Sequence, residues 1–356
     1  MHVNYLSGFE IGFRTDKNRC STFLIVTQDE ASHLVIGQSE AANAKRVFDD
    51  DVIAFEDYRL ADFMVTYPRY VREKLVQILD ELKKNGAVKL SRVGIEDWYL
   101  TEAYRDAILR VNSSAKLVGL SDLLLSMRKT KGHDEVGHIK QAAERLDFAY
   151  GIAKSLSKPG SEEMAYYREI NSQFFEKYGP LAVAWGAYLS GERALDPLGP
   201  INPTNRQMRS GDTVILDLQT NTNGYWADTA RVFIIGNVTE RQNRVFNALL
   251  QTKREVEEIL KPGTKASQIY TSTSNAIRQA GYGQALIHHA GHGIGLEDQE
   301  APFFLPNSKD VIEEGDVVAV EPGIYDPSAG GGMRIEDNYL ITKNGFEVLS
   351  KYPLRL

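Results

Sequence analysis

The sequence predicts an α+β fold in two domains, and three observations carry that expectation. Strand-like and helical segments interleave without steady strand-helix-strand alternation, and no glycine-rich phosphate loop joins an early strand to a helix. The 356 residues, 42% of them hydrophobic, also exceed what one small core organises. The polar run Arg128-Lys129-Thr130-Lys131-Gly132 marks the expected boundary, giving a smaller mixed α/β domain over 1–127 and an α+β domain over 128–356.

The span from Tyr5 to about Gly37 carries short apolar runs such as Thr22-Phe23-Leu24-Ile25-Val26 and His33-Leu34-Val35-Ile36, and reads as strands. From Arg69 to Lys84, Val71, Leu75, Ile78, Leu79 and Leu82 recur at three and four residues and stop at Asn85-Gly86, the pattern of an amphipathic helix. A strand at Val93-Gly94-Ile95 and a helix around Ala103–Val111 follow. Past the boundary, helices are expected over Asp134–Leu156, Glu162–Tyr178, Arg241–Ile259 and Ala266–Gln279, with Pro159-Gly160 separating the first two. Strands are expected at Thr213–Leu218, Ala227–Phe233, Val317–Glu321 and Met333–Glu336.

Composition removes several function classes. A net charge of -7 with no run of like charges offers no field for a phosphate backbone, so nucleic acid is not an expected partner. No stretch approaches the roughly eighteen apolar residues of a membrane span, and the opening lacks a signal-peptide layout, so an unexported cytoplasmic protein is expected. The single cysteine, Cys20, provides neither an internal disulfide nor a thiolate cluster. Any metal site must therefore draw on carboxylates and imidazole.

Those groups recur at the ends of apolar strands. Asn223-Gly224 signals a two-residue hairpin turn; if Thr222 pairs with Tyr225, Gln219 lies opposite Asp228, and Asp217 falls two residues along on the same face. Two buried like charges need a proton, a cation or an arginine, and nearby Arg231 keeps a salt-bridge reading open. Glu321 ends a strand that Pro322 must stop, Glu336 follows Met333-Arg334-Ile335, and His292 sits between glycines in Ile287-His288-His289-Ala290-Gly291-His292-Gly293. Alone, each is an ordinary strand-end or core residue. Together they form a hard, oxygen-rich donor set suited to manganese, cobalt, iron or zinc.

The combined pattern is Asp217-Leu218, Gly224-Tyr225-Trp226-Ala227-Asp228, Gly291-His292-Gly293-Ile294-Gly295, Glu321-Pro322-Gly323 and Arg334-Ile335-Glu336-Asp337. It resembles the pita-bread metallopeptidase family of prolidase, aminopeptidase P and creatinase. The resemblance is strong from about Arg128 onward and weaker over the first domain, where the opening Tyr5-Leu6-Ser7-Gly8-Phe9 carries it. It implies a pita-bread catalytic domain behind a creatinase-like N-terminal domain, and two divalent ions. Asp217 would chelate one ion, His292 and Glu321 the other, and Asp228 and Glu336 would bridge both. It also implies a homodimer hydrolysing a small peptide or amide, with Glu321 as proton shuttle and His288 lining the substrate pocket. Arg334 would hold a substrate carboxylate or a neighbouring ligand, or act only as a buried counter-ion.

Two histidines of the proline-specific members are missing. One would fall in Asp196-Pro197-Leu198-Gly199-Pro200, and the other is Gln299, whose amide would meet the substrate without exchanging protons. Ala230 stands where the family has threonine, and Gln219 where it has glycine. Metal binding is expected to survive these changes; ordinary Xaa-Pro cleavage is put in question. Asp298, six residues after His292, could serve as a base, as an aspartate does in a lyase known on this fold, or could face solvent. The alternatives are a small-molecule C–N hydrolase, a metal-dependent lyase using Asp298, or an inactive binding module; five retained ligands argue against the metal-free creatinase mechanism.

Overall fold

The computed structural model describes residues 2–9, 22–56, 68–283 and 286–356; Cys20 lies outside them. The chain divides into two compact units, Met1–Arg128 and Lys129–Leu356.

In the first unit, β1 (Phe23–Val26) runs antiparallel to β2 (Ser32–Gly37), which runs parallel to β3 (Asp51–Phe55); β4 (Arg92–Ile95) and β5 (Lys116–Gly119) form a separate parallel pair. The helices are α1 (His2–Ser7), α2 (Gln38–Ala44), α3 (Pro68–Lys84), α4 (Glu102–Val111) and α5 (Ser121–Lys129). The expected stripe on α3 is the buried one: Val71, Leu75, Ile78 and Leu79 pack with Tyr104 and Ile108 of α4 and Val35 of β2. One expectation fails at the start, where Tyr5–Ser7 closes a helix rather than opening a strand. The stop signal is Gly8, which takes φ 66° while its N–H bonds the Asn4 carbonyl at 2.8 Å, a helix C-terminal arrangement.

The second unit begins with two long helices, α6 (His133–Leu156) and α7 (Glu163–Tyr178). Glu135 Oε2 accepts from the Gly132 N–H at 2.7 Å, satisfying a donor at the start of α6. Ala142, Leu146, Ala149 and Ile170 bury against an antiparallel sheet of β6 (Trp185–Ser190), β7 (Thr213–Thr222) and β8 (Tyr225–Ile234). A second helix pair, α8 (Glu240–Glu257) and α9 (Ala266–Gln279), covers the remaining strands. Thr239 and Gln242 cap α8 reciprocally, each side chain accepting from the other's backbone N–H. A four-stranded sheet has the order β14-β13-β10-β9, where β9 is Gly291–Gly293, β10 Val317–Val320, β13 Asp337–Thr342 and β14 Gly345–Val348. The hairpin β11 (Gly323–Asp326) and β12 (Gly331–Arg334) completes the unit. Among the described residues, no helix is long and apolar enough to cross a membrane.

The β7–β8 hairpin has the register expected from its turn: Thr222 pairs Tyr225, Gln219 pairs Asp228 and Asp217 pairs Ala230. Asn223 and Gly224 take φ 51° and 82°, the left-handed geometry of a type I′ turn. Gly224→Ala is therefore expected to cost about 1–2 kcal/mol, read as a lower urea midpoint at unchanged slope. Unaltered stability would mean that this turn does not set the register.

Candidate metal centre

Five segments of the second unit converge on one site. Asp217 and Asp228 project from adjacent strands of one sheet. His292 lies on β9 with its Cα opposite Ala319 of β10. Glu321 extends that ladder by one residue, its N–H bonding the Ala290 carbonyl at 3.0 Å before Pro322 ends it. Glu336 sits at the corner between β12 and β13, where an isolated bridge to Ala230 ties it to β8. The small side chain at Ala230 thus has Asp217 across from it on one side and Glu336 on the other. Close strand approach needs glycine beside His292: a Cβ on Gly291 would stand 2.1 Å from the Ala319 carbonyl oxygen.

The expected ligands are all buried, with Asp228, His292 and Glu336 at 2% exposure or less. One ligand atom from each of these three lies within 4.8 Å of the others. The His292 Nε2 is 3.7 Å from Asp228 Oδ2, 3.7 Å from Glu321 Oε1 and 3.9 Å from Glu336 Oε1. Its Nδ1 donates to the Gly293 carbonyl at 2.9 Å, which leaves the Nε2 lone pair facing the carboxylates. Burial lowers the His292 pKa despite the charge of Glu321, so the ring is held neutral.

The carboxylates are under-neutralised. Burial first, then the charges of Asp217 and Glu321, push Asp228 well above the usual carboxylate range; burial and the charges of Asp228 and Asp217 do the same to Glu336. Burial also acts to raise Glu321, but His289, Arg334 and His288 outweigh it and hold that group low. Asp228 Oδ1, Glu321 Oε1 and both oxygens of Glu336 are buried without a hydrogen-bond partner. Orphaned buried carboxylate oxygens around a neutral imidazole lone pair are what a divalent cation satisfies, so the donor set fits one.

Arg231 does not neutralise the aspartates, because its guanidinium turns to the far side and pairs with Asp337 at 2.7 Å. Arg334 turns inward instead and of the two aspartates reaches Asp217 alone, donating Nη1 to Asp217 Oδ2 and Nε to the Tyr325 hydroxyl at 3.0 Å. That hydroxyl lies 2.7 Å from His288 Nε2, whose ring bonds the His289 carbonyl through Nδ1 at 2.6 Å. Burial and the Arg334 charge bring His288 down to about 4, so it accepts at Nε2 and donates at Nδ1. Asp298 and Gln299 are exposed on the loop before Glu300, and Asp298 still contributes a charge felt by Asp228.

Two groups escaped the sequence reading. Gln219, noted only as a departure from glycine, donates Nε2 to Asp228 Oδ2 at 2.7 Å, taking one oxygen and leaving the other bare. Tyr325 links Arg334 to His288, and the signal for it was Gly323: a Cβ there would meet the Tyr325 hydroxyl at 2.5 Å and His288 Nε2 at 2.9 Å.

Comparison with known proteins decides the family. The model for metallopeptidase family M24 matches residues 137–343, and that for the creatinase/prolidase N-terminal domain matches residues 1–130. The chain belongs to this metallopeptidase family. An uncharacterized peptidase of Staphylococcus aureus is 31% identical over 268 residues, 74% of each chain. The prolidase from Pyrococcus horikoshii superposes with a TM-score of 0.81 at 26% identity, covering 100% of this chain and 92% of the other. The X-Pro aminopeptidase from Thermotoga maritima gives 0.84 at 22% identity over 99% and 92%, a likeness of fold. The family's two-part organisation, a creatinase-type domain followed by a pita-bread domain, is the one expected from the motifs.

Proposed function

We propose that this family member is a divalent-metal-dependent hydrolase of small peptides, related in action to Xaa-Pro dipeptidases and aminopeptidases. The observation that carries the reading is the group of unpartnered, buried carboxylate oxygens of Asp228 and Glu336 around the His292 Nε2 lone pair. Asp217, Asp228, His292, Glu321 and Glu336 would hold two ions, with Asp228 and Glu336 shared between them. When bound, such ions act as Lewis acids that polarise a carbonyl and lower the pKa of water.

The chain's own groups supply the rest. Glu321, held ionised by its cationic and imidazole neighbours, would accept a proton from the attacking water and return it to the leaving nitrogen. Arg334 is fixed between Asp217 and Tyr325, so it orients the Asp217 carboxylate. The buried ring of His288, locked by Tyr325, would line the substrate pocket. Gln299 and Asp298 would meet substrate from the exposed loop, Gln299 by hydrogen bonding without proton transfer.

The test is hydrolysis of Xaa-Pro dipeptides and short Xaa-Pro-led peptides by protein loaded in turn with manganese, cobalt, iron and zinc, against an EDTA control. Cleavage lost in EDTA and restored by metal is expected. Metal-loaded protein inert on the whole panel would instead favour a small-molecule C–N hydrolase or a lyase based on Asp298.

A further inference from the structure

His289 lies against the site but has no place in the five-residue ligand set. Its Nδ1 is buried and stands 2.9 Å from Glu321 Oε1, an ion-pair distance at which neither atom has hydrogen-bond geometry to any partner. At that separation an aligned N–H would make a strong bond; here the two atoms are close but out of line. Two atoms bound to one ion at about 2.1 Å, at right angles to each other, stand roughly 3 Å apart. The contact is poor as a hydrogen bond and suitable as one edge of a coordination shell.

The residue is also held in place. His288 Nδ1 donates to the His289 carbonyl at 2.6 Å, and the next peptide is tied to Glu321 through the Ala290 carbonyl. The His289 ring meets that of His292 at 73°, with centroids 5.5 Å apart. We propose that His289 is a sixth protein ligand, giving the Glu321 side of the centre a second imidazole. The proposal rests on the metal-centre reading above. A second nitrogen donor moves the site's preference from manganese towards cobalt, zinc and copper, where imidazole binds more strongly.

The test uses the full chain and His289→Gln, a change at a side chain with 27% exposure. Pulsed EPR of the Cu(II)-loaded proteins counts coordinated imidazoles, and competition with a chelator gives zinc and manganese affinities. Two imidazoles in the parent and one in the variant are expected, with zinc affinity falling roughly 10- to 100-fold and manganese affinity changing less. One imidazole in both proteins, or equal losses for zinc and manganese, would overturn the proposal while leaving the five-ligand centre standing. Copper held without any imidazole, or unaffected by His292→Ala, would overturn both.

Discussion

Glu336→Gln is expected to remove most of the stabilisation by divalent metal while leaving the metal-free protein as stable as the parent or more so. Both Glu336 oxygens are buried without a partner, and the side chain shares its surroundings with Asp228, Asp217 and Glu321. In the metal-free fold this charge is a liability, and the amide removes it at nearly constant volume. With metal present the same charge becomes an attraction. A ligand at 1,000 times its dissociation constant adds about 4 kcal/mol to the folded state, which for a unit of this size raises Tm by roughly 8–16 °C. In the glutamine variant the rise should shrink to a few degrees, and catalysis should fall at least 100-fold. Scanning calorimetry with manganese or cobalt against EDTA measures both effects. An unchanged metal-induced rise would remove Glu336 from the ligand set.

The different fates of Asp217 and Arg231 show how far the sequence could be read. The hairpin register, hence the shared face of Asp217 and Asp228, was legible because Asn223-Gly224 admits few turn geometries and strand period does the rest. The meeting of these aspartates with His292, Glu321 and Glu336 was legible only as a combined pattern, since they lie on three separate sets of strands and no local rule brings them together. Side-chain direction was less accessible. Arg231 and Arg334 are both arginines beside carboxylates in sequence, yet one turns away from the centre and the other into it. Their choices depend on Tyr352 and Tyr325, contacts without a sequence spacing to announce them. The helix at His2–Ser7 was missed for a different reason: a six-residue segment has too few turns for helical periodicity to emerge.

Arg231→Met should strongly destabilise the second unit, because it takes the closest cation from buried Asp337 and leaves it only Lys253 at 3.4 Å and the Ser350 hydroxyl. Arg231 donates to Asp337 Oδ1 at 2.7 Å, to the Glu336 carbonyl at 2.6 Å, to the Ala230 carbonyl at 2.9 Å and twice to the Tyr352 carbonyl. Burial acts to raise Asp337, yet Arg231 and Lys253 hold it below its usual range, so the aspartate is charged and depends on its partners. Removing one member of a buried pair costs about 3–5 kcal/mol, or a fall in Tm of roughly 10 °C. Arg231→Lys should recover little, since a single ammonium cannot reach this set of acceptors in the directions a planar fork does. Arg231→Met combined with Asp337→Asn should lose less than the sum of the two single changes, because the stranded charge is gone. Additive losses in that double-mutant cycle would mean that the pair is not what holds the corner at Glu336. The metal reports the same coupling: the carbonyl that Arg231 holds belongs to Glu336, so metal affinity in Arg231→Met should drop about 10-fold although Arg231 lies outside the ligand set.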